Sequence, residues 1–109
     1  MTEITARFSV AKDHPCLAGH FPGRPLVPGV VVLENVFAAM QNTRQEPLVL
    51  EGISSCKFLR AVLPEDEILV SVRLSRESDS ELLRARFAAS CSGAPVAEGT
   101  FLIRTGSHE

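Results

Sequence analysis

At 109 residues, with 45% hydrophobic and 22% charged side chains and a formal net charge of −2, the chain suits one domain around one hydrophobic core. That charge supplies no overall basic field to draw nucleic acid, and no apolar run approaches the roughly 20 residues that a membrane-spanning helix needs. The N-terminus MTEITARFSV lacks the basic and apolar regions of a secretory signal, so a cytoplasmic protein is expected.

In chain order, Ile4, Ala6, Phe8 and Val10 alternate with Thr5, Arg7 and Ser9, which predicts a half-buried strand. From Ala11 to Pro28 prolines and glycines break every regular pattern, and a loop of that length commonly carries function. The run Val30 to Met40 is apolar on nearly every side and follows Pro28-Gly29. Periodicity alone leaves buried strand and buried helix open, and its length and the ending Phe37-Ala38-Ala39-Met40 favour helix. Pro47 to Val62 mixes apolar and polar residues and leads through the turn PEDE to a strand with Ile68, Val70, Val72 and Leu74 on one face. SRESDSE is the next turn, and Leu83, Ala85, Phe87, Ala89 and Cys91 share one face of the strand after it. SGAP turns the chain into a last strand, Val96 to Arg104, before the polar tail 105–109.

This order predicts an α+β fold over residues 1–104, one helix packed on an antiparallel sheet of about five strands. A single sheet leaves edge strands, so self-association, most simply as a dimer, is expected. Cys16, Cys56 and Cys91 form no CxxC pair and fit reduced buried thiols better than a disulfide framework or a zinc site.

Chemistry concentrates in AGHFPGRPLVPGVVVLENVFAAM, Ala18 to Met40, where Glu34 is the one carboxylate of the apolar run. Read alone, His20 is a loop histidine of the kind that is commonly exposed or capping, and Glu34 has an exposed helix stripe as its plain alternative. His14 and His20 have no cysteine or carboxylate cluster near them, so no metal site is expected. Pro22, Pro25 and Pro28, spaced by three, suit a rigid loop presenting His20, with Phe21 and Val27 as its anchors, better than a polyproline ligand. Val30 to Leu33, ahead of Glu34, are all apolar, which predicts a desolvated carboxyl biased toward the acid form, while the helix start favours the anion.

The stretch GHFPGRPLVPGVVVLE resembles the signature of the β-hydroxyacyl-(acyl-carrier-protein) dehydratases, enzymes of fatty-acid synthesis with the hot-dog fold. GISSCKFLRAVLPED and GAPVAEGTFLIR are similar to that family's second block and closing strand, and the short chain looks most like its members from aryl-polyene and related pigment pathways. The resemblance implies elimination of water from a carrier-bound 3-hydroxyacyl thioester. His20 falls on the family's catalytic base and Glu34 on its helix carboxylate, the two acting across a dimer. A histidine near neutral pKa suits removal of the α-proton, and a protonated carboxyl suits delivery of a proton to the leaving hydroxyl. The backbone N–H groups of Gly29 and Val30, shaped by Pro28 and Gly29, suit the thioester carbonyl as it becomes enolate-like.

No cofactor is implied beyond the phosphopantetheine of an acidic acyl carrier protein, for which Arg24, Lys57 and Arg60 are the contact candidates. The expected assembly is a homodimer, a heterodimer with a homologous hot-dog subunit, or a higher oligomer. The chain has Ala38 where the family commonly has glutamine, and Asn35 and Phe37 where it has small residues, which implies a differently shaped acyl tunnel. A hot-dog thioesterase, and a silent acyl-binding subunit paired with an active homologue, are the alternatives.

Overall fold

The computed structural model describes residues 2–11, 27–76 and 82–105, so His20, Phe21, Arg24, His14, Cys16 and the tail at 106–109 lie outside the described residues. The elements are β1 (Thr2–Phe8), α1 (Gly29–Asn42), β2 (Leu48–Phe58), β3 (Ile68–Arg76), β4 (Leu83–Cys91) and β5 (Ala94–Thr105). The five strands form one antiparallel sheet in the order β1-β3-β4-β5-β2.

Strict alternation makes the sheet two-faced. Ile68, Val70, Val72 and Leu74 of β3 and Leu83, Ala85, Phe87 and Ala89 of β4 are buried on the helix side, and the residues between them are exposed or only partly buried. Ser92 and Gly93, both at positive φ (50° and 83°), close β4 onto β5 in two residues. A two-residue turn of that hand matches the strand twist, so β5 begins at Ala94 rather than at Val96 as the sequence pattern suggested. In the PEDE turn the Asp66 carboxylate accepts the Leu63 N–H at 3.0 Å, and Glu65, at φ 71°, donates its N–H to the Val10 carbonyl at 2.7 Å. This turn holds the end of β1 against the start of β3.

Helix α1 starts at Pro28, whose extended backbone (φ −61°, ψ 147°) turns its carbonyl to accept the N–H groups of Val31 and Val32 at 3.0 and 3.2 Å. It ends where the Thr43 hydroxyl donates to the Met40 carbonyl at 2.8 Å. Val31, Val32, Val36, Ala39 and Met40 bury on the sheet, and the helix packs chiefly on β1 and β3. Among the described residues, β2 at the opposite edge is only thinly covered: Val49, Leu50, Ile53 and Phe58 are 43–49% exposed. Among the described residues no helix is long and apolar enough to cross a membrane.

Candidate active site

Two stripes of α1 lie outside its main buried face. The first carries Gly29, Phe37 and Gln41: the Gly29 backbone meets the Phe58 ring, Phe37 meets the Phe101 ring at 5.9 Å, and the Gln41 side-chain oxygen accepts the Leu48 N–H at 2.7 Å. These contacts lay α1 antiparallel to β2. The second stripe is Val30, Glu34 and Ala38, spaced by four and all exposed. The apolar surroundings expected of Glu34 are therefore absent in the single chain. Helical spacing sends Val31 and Val32 into the core and leaves Glu34 at the surface beside Val30, which is itself 63% exposed.

One turn before Glu34, the first backbone donors of the helix stand open. Pro28 offers no side-chain cap, and among the described residues neither the Gly29 nor the Val30 N–H has an acceptor. Gly29 makes room for Phe58 here. A Cβ on it would lie 2.8 Å from Cζ of Phe58, so only glycine lets that ring rest on the helix start. Next to it a cavity of about 390 Å³ is lined by Val27, Val32, Phe58, Leu59, Arg60 and neighbours, and the Val27 N–H donates to the Val62 carbonyl at 2.9 Å. The helix start thus sets two open N–H donors beside an apolar cavity with one guanidinium at its lining, and the Glu34 carboxylate lies a turn further along on the exposed side of the helix.

Of the basic candidates, Arg60 lies at this cavity, whereas Lys57 stands opposite Glu98 on the sheet face turned away from α1. Lys57 is on β2, whereas Arg60 lies beyond the strand's end at Phe58, so the two are apart although near in sequence. A larger concavity, about 620 Å³, opens on that outer face between Ser71, Arg73, Arg86, Glu98 and Thr100. It lies on the far side of the sheet from α1, and the smaller cavity is the one that reaches the helix start, at Gly29. Cys56 of β2 is exposed rather than buried as expected, and the partial desolvation of its thiol pushes it up from its ordinary value, against thiolate chemistry there. Phe58 was not singled out from the sequence, since its relation to Gly29 is a contact between strand and helix across 29 positions.

Comparison with known proteins gives a consistent result. Residues 1–100 match the ApeI-like family, described as ApeI dehydratase. The 3-hydroxyacyl-(acyl-carrier-protein) dehydratase FabZ of Myxococcus xanthus (strain DK1622) is 31% identical over 109 residues, covering 92% of this chain and 71% of that protein. The FabZ of Histophilus somni (strain 2336) is 33% identical over 82 residues, or 68% of this chain, and the match spans only 54% of that longer relative. Among solved structures, the dehydratase heterocomplex ApeI:P from Xenorhabdus doucetiae superposes with a TM-score of 0.73 at 20% identity, covering 94% of this chain and 87% of that one. The fluoroacetyl-CoA thioesterase FlK superposes with a TM-score of 0.74 at 16% identity, covering 94% and 84%. Likeness at these identities speaks for the hot-dog fold alone.

Proposed function

The chain belongs to the ApeI-like dehydratase family, and we propose that it eliminates water from a carrier-protein-bound 3-hydroxyacyl thioester to give the trans-2-enoyl thioester. The observation that carries this reading is the spacing on α1, with open Gly29 and Val30 N–H donors one turn ahead of the exposed Glu34 carboxylate. These N–H groups donate hydrogen bonds to the thioester carbonyl oxygen and stabilise the negative charge developing on it. His20 takes the proton from Cα; the electron pair forms the Cα–Cβ double bond; the Cβ–O bond breaks as protonated Glu34 delivers a proton to the departing hydroxyl. One water leaves, and proton transfer from the histidinium back to the Glu34 carboxylate, by way of that water, restores both groups. No cofactor takes part beyond the phosphopantetheine that carries the substrate.

Such a site needs a second subunit. Glu34 is exposed in the single chain, and the adjacent β2 edge shows a row of half-exposed apolar side chains of the kind that pairs with another strand. A second hot-dog subunit, identical or homologous, that pairs along β2 dries the Glu34 stripe and brings its own His20 to it. The acidic acyl carrier protein approaches at Arg60 and Arg24, with Lys57 on the neighbouring face, and the reaction is cytoplasmic.

The test follows a carrier-bound 3-hydroxyacyl thioester by mass spectrometry with the purified protein, alone and with a homologous hot-dog subunit. Loss of one water is expected. A liberated carrier thiol identifies a thioesterase, and an unchanged substrate in both mixtures identifies a silent acyl-binding chain; either overturns the reading.

A further inference from the structure

We propose that Phe37 determines which acyl groups the Glu34 site accepts, excluding long tails from the space between helix and sheet. This rests on the dehydratase reading for the position of the substrate but on different contacts. Phe37 lies three positions beyond Glu34 on α1, so the two side chains are surface neighbours, and its Cα is about 4.5 Å further along the axis. With the thioester carbonyl at the Gly29 and Val30 donors and Cβ at Glu34, the tail of the acyl group runs toward the C-terminal half of the helix and reaches Phe37 next.

Phe37 is half-buried and not free to swing inward. Its ring stands edge-on to Phe101, at 5.9 Å and 83°, and Phe101 stacks on Phe87 at 5.0 Å and 28°. Phe101 and Phe87 are each 1% exposed and anchored on β5 and β4, so the first ring is backed by two that cannot yield. The three rings fill the gap under α1 where a tail would otherwise enter the core. Beyond them the Gln41 side chain bridges to Leu48 N–H at 2.7 Å and to the Glu46 carbonyl at 3.1 Å, tying the helix end to the start of β2. A short unbranched tail ends before this aromatic block, and a long one has to lift away from it.

The experiment compares the wild type, Phe37→Ala and Phe37→Leu on 3-hydroxybutyryl and 3-hydroxydecanoyl carrier thioesters. The expected result is a wild-type preference for the butyryl substrate. Phe37→Ala then raises the decanoyl-to-butyryl ratio of kcat/KM by about tenfold or more, with Phe37→Leu between the two. Equal ratios in all three proteins, or a wild type that already prefers decanoyl, overturn the inference. If the wild type turns over neither substrate, alone or with the homologous subunit, the dehydratase reading fails, and the inference is judged on the Kd ratio of decanoyl- to butyryl-pantetheine. The same shift supports it and an unchanged ratio overturns it. Phe37→Leu keeps an apolar side chain against Phe101 and secures a folded variant should Phe37→Ala unfold.

Discussion

Replacing Gly99 by alanine is expected to weaken the fold far more than replacing Gly29, although both glycines lie against close neighbours. Gly99 sits in β5 between Phe87 of β4 and Cys56 of β2. A Cβ there collides with the Ser55 carbonyl oxygen and stands 3.0 Å from the Cys56 Cα and 3.1 Å from the Phe87 ring. Two of those neighbours are backbone of a strand bonded to β5, where the register already shifts, so relief requires β2 to move off its partner. Overpacking of this kind costs about 1–3 kcal/mol, and rigid backbone puts Gly99→Ala at the upper end. At about 4–8 °C per kcal/mol for a domain of this size, the melting temperature falls by about 12–24 °C. At Gly29 the atom in the way, Cζ of Phe58 at 2.8 Å, is the far end of a ring that is 49% exposed and can rotate into solvent. Alanine's better helix propensity offsets part of that displacement, so Gly29→Ala stays within about 1 kcal/mol. Thermal and urea unfolding of both variants decide the matter. A Gly99→Ala protein that melts within about 4 °C of the parent, or a Gly29→Ala protein that melts below Gly99→Ala, refutes the reasoning.

Glu34→Gln is expected to lower turnover by about a hundredfold or more while shifting stability by less than about 0.5 kcal/mol, because its carboxylate is exposed. Turnover and melting curves on one preparation show whether the two effects separate. His20→Ala should match its loss of turnover, and an unaffected rate in either variant removes that residue from the site. Ile53→Lys, which places a charge on the half-exposed β2 edge, is expected to shift the protein to monomer in sedimentation velocity and to abolish activity together. A charged edge that leaves the oligomer intact would locate the seam elsewhere. Glu3→Gln breaks an ion pair with Arg73 at 2.8 Å whose side chains are 68% and 56% exposed, so a stability loss above about 1 kcal/mol is not expected in chemical denaturation.

Most of the strand pattern was legible in the sequence because a sheet with one wet face writes its alternation into every second residue, as β3 and β4 show. The ends of elements were less legible. Local backbone geometry sets them: the two-residue turn at Ser92-Gly93 carries β5 back to Ala94, and the pairing of β2 with β5 stops at Phe58, short of the Val62 where the mixed pattern ended. The site divides in the same way. Glu34 and the helix start at Gly29 were marked by the local motif, and His20 by its resemblance, although that residue lies outside the described ones. The surroundings of Glu34 were misjudged because four apolar residues in a row are neighbours along the chain but point to different sides of a helix.

By itself, the sequence determined the α+β class, the faces of the strands and the dehydratase motif, since each is written in short-range spacing. Only the tertiary structure decided that α1 leans chiefly on β1 and β3 and leaves much of β2 half-exposed, that Phe58 lies on Gly29, that Phe37 rests on Phe101, and that Lys57 and Arg60 part company. Those are relations between residues distant along the chain, set by how a helix and a twisted sheet fill space together, and no local pattern encodes them.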